Sequence, residues 1–197
     1  MSDDQTLSVY GDAVDRYTAT PMEPEHIAAL DHFAASVRPG GRVLDLGCGP
    51  GLQAETLVAA GLDVDAVDAT PAFVEAAQSR GLNARIAVFE DLPGAEIYYG
   101  IWASFSLLHA RRDTVSGHVA RLAGALSPGG IFFLGMKTGT GEARDGLGRF
   151  YSYFSVEELH QMLEDAGLRV TQTVTGRGKG LSGSDDTYAL VHAVRDA

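Results

Sequence analysis

Cysteine is almost absent from this chain: Cys48 is the only one among 197 residues. A lone thiol excludes an internal disulfide framework and a multi-cysteine zinc site, and it points to a reducing, cytoplasmic setting. Basic residues are scarce too, with 15 Lys and Arg against 26 Asp and Glu, leaving a net charge of −11. Such a chain repels phosphate backbones and anionic lipid surfaces, so nucleic acid and membranes are poor partners for it. No apolar run approaches the ~20 residues of a membrane span. The opening MSDDQTLSVYGDAVDRYTAT is acidic and has no signal-peptide core. His26, His32, His118, His160 and His192 lack ligand spacing such as HExxH, so no metal site is expected. Repeats, low-complexity tracts and linkers are missing as well.

What is present is an ordinary globular composition, 45% hydrophobic and 21% charged, at a length that suits one domain. From Gly41 onward short apolar runs alternate with helical patterns, the signature of βαβ units and a parallel sheet covered on both faces. Strands are expected at 42–46, 64–67, 84–89, 97–104 and 131–136, and helices at 52–60, 71–80 and 114–126, the last stopped by SPGG. Thr70 can cap the helix that Pro71 begins. Ser155 and Glu158 form a capping-box pattern for a helix running to Ala166. Two last strands, 168–174 and 187–194, are joined by GRGKGLSGSD, too short for a parallel crossover, so they should be antiparallel. Before residue 41 a helix is expected from about Glu25 to Val37, with Ile27, Leu30, Phe33 and Val37 near one face. It should pack on the sheet edge or cap the site. The glycine-rich stretches 139–148 and 176–183 read as loops.

The sharpest feature is VLDLGCGPG at 43–51: an apolar strand ends in Asp45 and turns through three alternate glycines into a helix. Gly47 and Gly49 permit positive φ and remove side chains where a ligand touches backbone, and the helix start offers N–H groups to an anionic group. Asp68 follows Gly47 at the end of the next strand, where a carboxylate can accept both hydroxyls of a ribose. The spacing is G-x-G-x-G. Dinucleotide folds use G-x-G-x-x-G, which calls for a small residue where Leu52 stands.

VLDLGCGPG, VDAVDATP and LSPGG resemble motifs of the class I S-adenosylmethionine-dependent methyltransferases. GIWASFSLLHARRD, the segment from GMKTGTG to EDAGL, and YGDAVDRYTAT are similar to a small-molecule group with a minimal amino-terminal cap. The resemblance implies a Rossmann-like doubly wound α/β fold: seven strands, six parallel and one antiparallel, in a single domain. Residues 1–40 would be the cap and 41–197 the cofactor-binding core. It further implies that Asp45, Gly47, Cys48 and Gly49 surround the methionine part of S-adenosylmethionine, and that Asp68, with Ala69 beside it, holds the ribose. Phe89 would contact the adenine, with Glu90 or Asp91 reading its amine, because the position before the aromatic is Val88 rather than an acid. Ala103 and Ser104 would offer carbonyls to the ammonium group. S-adenosylhomocysteine would be the product.

Methyl transfer needs an in-line nucleophile about 3 Å from the methyl carbon, so positioning in a water-poor site matters more than a strong acid. For a hydroxyl acceptor a base would help, and His109 follows the fourth strand at the functional edge; packing at the next helix start is its other reading. Tyr10 and Tyr17 lie in the segment that would fold over the cofactor, where they either line the pocket and orient a reacting group or pack the cap. Lys137, Arg149, Tyr151 and Tyr153 are placed to bind an acidic or aromatic small-molecule acceptor, or else are solvated loop residues. Neither the acceptor atom (O, N, S or C) nor the oligomeric state is written in a local motif. The alternatives are a catalytically silent cofactor-binding regulator and an NAD-dependent oxidoreductase.

Overall fold

The computed structural model describes residues 3–91 and 97–196. Five strands, β1 (Arg42–Leu46), β2 (Asp63–Asp68), β3 (Ala84–Ile86), β4 (Tyr98–Ser104) and β5 (Leu126–Lys137), run parallel. A short hairpin, β6 (Glu142–Arg144) and β7 (Phe150–Ser152), stands apart from them. β9 (Asp185–Arg195) lies antiparallel between β5 and β8 (Leu168–Lys179), so the order is β3-β2-β1-β4-β5-β9-β8. The order reverses between β1 and β4, and at such a switch point the helices diverge and leave a crevice at the strand ends. Among the described residues no helix is long and apolar enough to cross a membrane.

Because side chains alternate along a strand, β1 and β4 feed two cores. Val43 and Trp102 join Leu30, Phe33, Leu57 and Phe133 on one face. Leu44 and Ile101 join Phe132, Leu134, Val119 and Leu159 on the other. The first face is covered by α3 (Pro24–Ser36), α4 (Leu52–Ala59) and α5 (Pro71–Ser79), the second by α6 (Arg112–Ala125) and α7 (Val156–Asp165). Trp102 stacks on Phe133 with ring centroids 3.7 Å apart. The Ser155 capping box is formed, with Ser155 Oγ accepting from Glu158 N–H and the Glu158 carboxylate from Ser155 N–H.

The expected order of elements holds, and the departures have physical causes. α3 packs on the sheet face rather than its edge: a Cβ on Gly100 of β4 would meet Phe33 at 2.8 Å. Its buried face is His26, Ala29, Leu30 and Phe33, whereas Ile27 is 44% exposed. Thr70 makes no side-chain cap; its N–H donates instead to Asp68 at 2.7 Å. α6 ends at Ala125, just before SPGG, but β5 begins earlier than expected, at Leu126, and SPGG falls within it where the register shifts between the Tyr98–Leu126 and Gly100–Ile131 pairs. Both glycine-rich stretches are largely hairpin, β6–β7 and the β8–β9 arms, because cross-strand pairing outweighs the intrinsic cost of glycine. Two further helices, α1 (Asp4–Gly11) and α2 (Val14–Thr18), precede α3. Asp3 caps α1 through Thr6 N–H and pairs with Arg144, and that guanidinium holds the Asp3 carboxyl well below its ordinary range. The Thr6 hydroxyl accepts from Phe150 N–H, which fastens α1 to the β6–β7 hairpin.

Candidate active site

The glycine turn lies at the switch point, and its shape follows from φ values of 76° at Gly47, 53° at Gly49 and 91° at Gly51. A Cβ on Gly47 would stand 2.4 Å from Ser106 Cβ, so β1 and the chain after β4 touch there backbone to side chain. The turn uses its own N–H groups: Gly47 and Cys48 donate to the Val67 carbonyl, and Gly49 donates to Asp68 at 2.9 Å. That differs from an anion cradle of turn amides. Those donors tie β1 to β2, and a ligand here meets glycine faces and carboxylates.

Two carboxylates dominate. Asp68 accepts from Gly49 and Thr70, and each oxygen keeps a lone pair for a hydroxyl. Burial raises its pKa, against the pull of those two N–H groups. Asp45 is 1% exposed, and its Oδ2 has no hydrogen-bond partner. Burial, with the Asp68 charge adding, pushes Asp45 up to about 8. A buried carboxylate with an orphaned oxygen is unfavourable unless a cation or donor complements it.

Two adjoining cavities open beside the turn; Asp68 lines the smaller, and Asp45 lines neither. The smaller, about 80 Å³, is lined by Leu46, Gly47, Gly49, Asp68, Ala69, and Val88 with Phe89. Glu90 is exposed and Asp91 accepts from Val88 N–H, so backbone and ring, not either acid, face this space. Tyr10, Tyr17 and Phe73 roof it, their centroids 5.2–5.8 Å apart. The larger cavity, about 210 Å³, takes Cys48, His26, Lys137, Arg149, Tyr151 and Tyr188. Tyr10, Tyr17, Gly47, Ser104 and Phe105 line both.

Lys137 and Arg149, the buried cations of the larger cavity, are each paired with an acid. Lys137 Nζ lies 2.7 Å from Asp186 and 3.8 Å over the Tyr151 ring, and burial lowers its pKa. Arg149 binds Asp145 through two nitrogens and donates to Tyr10 Oη at 3.0 Å. His109 Nδ1 lies 2.6 Å from the Phe150 carbonyl, which can only accept, so Nδ1 carries the proton. Nε2 then accepts from Tyr10 Oη at 2.8 Å. Burial keeps the ring neutral, with a pKa down at about 4. Tyr10→Phe is therefore expected to leave buried Arg149 and His109 each short of a partner and to cost about 1–3 kcal/mol, read as a lowered Tm.

The model of a family described as "Methyltransferase domain" matches residues 21–173. The chain belongs to that family. A ubiquinone biosynthesis O-methyltransferase of Xanthomonas campestris pv. campestris (strain B100) is 34% identical over 128 residues, covering 58% of this chain and 52% of that protein. The chain thus spans about half the length of such relatives. Among solved structures, the Burkholderia thailandensis 1,6-didemethyltoxoflavin-N1-methyltransferase superposes with a TM-score of 0.77 at 24% identity, over 98% of this chain and 87% of that one. The N-methyltransferase NodS of Bradyrhizobium japonicum WM9 gives 0.74 at 18%, over 99% and 100%. The class I methyltransferase fold expected from the glycine turn and the final hairpin is the fold found.

Of the residues singled out in the sequence, Tyr10, Tyr17, Gly47, Gly49, Asp68, Ala69, Phe89, Ser104 and His109 line the smaller cavity, and Cys48, Lys137, Arg149 and Tyr151 the larger. Asp45 lies buried beside the turn, and Ala103 is in the core below it. Tyr153 lines neither cavity; it packs against Gly139. Sequence reasoning missed His26, whose Nε2 lies 2.7 Å from Ser104 Oγ, and Phe105. Phe105 is non-glycine with φ at 52°, held by its N–H to the Gly135 carbonyl. Strained backbone of that kind gathers at functional sites, and no local pattern announces it.

Proposed function

We propose that this methyltransferase moves a methyl group from S-adenosylmethionine to a small aromatic or heteroaromatic acceptor by in-line displacement. The observation that carries the reading is the pair of cavities that meet at Gly47, Ser104 and Phe105, on the turn that follows buried Asp45. Asp45 fits the cationic methionine end, Gly47, Cys48 and Gly49 leave room beside it, Asp68 takes the ribose hydroxyls, and Val88 with Phe89 takes the adenine. Bound there, the sulfonium supplies an electrophilic methyl carbon. The protein's part is to hold the acceptor in line and to exclude water, which the roof of Tyr10 and Tyr17 supports. Tyr151 and Tyr188 favour a flat ring on the acceptor side. Pairing of Lys137 with Asp186 and of Arg149 with Asp145 disfavours an acidic acceptor. Names of relatives agree with a ring acceptor.

The test is calorimetric titration with S-adenosylhomocysteine, NAD and NADP, followed by a screen of hydroxylated and nitrogenous rings for S-adenosylhomocysteine release. Binding of the first alone and turnover of a ring are expected; binding without turnover would favour a silent regulator, and nicotinamide binding would overturn the reading. Asp68→Ala should weaken cofactor binding by about 1.5–3 kcal/mol, the worth of hydrogen bonds to a charged group. Unchanged affinity in the folded variant would remove Asp68 from the site.

A further inference from the structure

Ser104 ends β4 and is one of the residues that line both cavities. Its Oγ has a protein partner 2.7 Å away, His26 Nε2, in the first turn of α3. The His26 ring is held by aromatic neighbours: parallel to Trp102 at 5.9 Å and 12°, and edge-on to Phe105 at 5.4 Å and 90°. Burial drops its pKa to about 4, so it is neutral at physiological pH and keeps one nitrogen lone pair. His109 differs, because the Phe150 carbonyl and the Tyr10 hydroxyl occupy both of its nitrogens.

We propose, resting on the methyl-transfer reading, that Ser104 and His26 form a proton relay serving the acceptor, whose nucleophilic group is therefore an O–H or N–H. The Ser104 hydroxyl donates to His26 Nε2 and turns its lone pairs toward the junction, where they accept the acceptor's proton-bearing group. As the acceptor heteroatom bonds to the methyl carbon and that carbon's bond to sulfur breaks, the acceptor's proton passes to Ser104 Oγ. The serine proton passes to His26 Nε2. One positive charge leaves sulfur and one arrives on the imidazole, so the net charge of the buried site is unchanged, which offsets the aversion of that ring to protonation.

The other charges in this cavity leave the relay alone. Lys137 is paired with Asp186, and Arg149 with Asp145. Glu23 and Lys179 are exposed at the mouth. Burial raises the pKa of Tyr10, Tyr17, Tyr151, Tyr188 and the Cys48 thiol, so all of them stay neutral.

Nuclear magnetic resonance of the protein with ¹⁵N-labelled histidine, and rates with catechol from pH 6 to 9, test the relay. An unprotonated Nε2 with a protonated Nδ1 on His26 is expected; a protonated Nε2 would overturn the proposal whatever the activity. With catechol and saturating S-adenosylmethionine, which removes the pH dependence that Asp45 gives to cofactor binding, the unaltered enzyme should show a rate that hardly varies with pH. Ser104→Ala and His26→Asn should each be slower by on the order of a hundredfold at pH 7. That deficit should shrink about tenfold per pH unit, because hydroxide replaces the relay for a phenol ionising near pH 10. A loss equal at every pH in both variants would mean a structural role only and would overturn the relay. If the unaltered enzyme leaves catechol and every other ring untouched, the methyl-transfer reading fails, and the imidazole tautomer still decides whether the hydroxyl points as proposed.

Discussion

Asp45→Asn is expected to weaken S-adenosylmethionine binding by about tenfold to a hundredfold near pH 8, and to stabilise the cofactor-free protein at that pH. Both effects come from one carboxylate, buried to 1% exposure with an orphaned oxygen and a pKa of about 8. A cation beside it favours the ionised form, so binding lowers that pKa and releases a proton wherever Asp45 starts protonated. Affinity should climb from about pH 6 to about pH 8 and then level off, and the asparagine variant should be flat. Calorimetry in two buffers of different ionisation enthalpy reads the proton directly; no proton release at pH 7 would sink the assignment. Stability runs the other way. The folded pKa lies above the ordinary value of 3.8, so the native state binds the extra proton, and the Asp45 contribution falls as pH rises from about 4 to about 8. Thermal melts of the cofactor-free protein should show this slope, and Asp45→Asn should reduce it. The size of the binding loss is that of hydrogen bonds to a charged group, about 1.5–3 kcal/mol.

Gly47→Ala should be strongly damaging for a single added methyl. Its φ of 76° is left-handed, which a residue with a Cβ adopts at about 1–2 kcal/mol. The added carbon would also lie 2.4 Å from Ser106 Cβ, an atom one bond from backbone that cannot swing aside, and such overpacking costs roughly 1–3 kcal/mol more. A total of about 2–5 kcal/mol should appear as a large drop in Tm, with cofactor binding lost because the turn and Ser106 must part. Gly81→Ala is the control: its φ of 83° carries the same backbone strain, but a Cβ there meets nothing within 4 Å. Equal losses at the two positions would mean that strain alone, not the contact at the site, decides.

The elements from β1 to α5 were legible because each is signalled locally: short apolar runs for strands, Pro71 at a helix start, glycine where φ must be positive. Asp45, Gly47 and Asp68 were legible for the same reason, since strand ends and the turns after them lie close in sequence. The acceptor side was not. His26 reads as one polar residue on an amphipathic helix, and only the packing of α3 across the sheet face brings it 78 positions along the chain to Ser104. His109 was legible as a residue at the functional edge, yet the partners that occupy its nitrogens come from α1 and β7, 99 and 41 positions away.

The sequence by itself determined the strand–turn–helix units, the glycine turn with its two carboxylates, and through them the family, because those depend on φ preferences and short-range periodicity. Tertiary structure alone decided the pairing of Lys137 with Asp186, the hydrogen bond from Arg149 to Tyr10, the roof that Tyr10 and Tyr17 form over the glycine turn, and the His26–Ser104 contact. Each of those joins segments remote along the chain, and a hydrogen bond or ion pair of that kind exists only where the sheet and its packed helices hold both groups within about 3 Å.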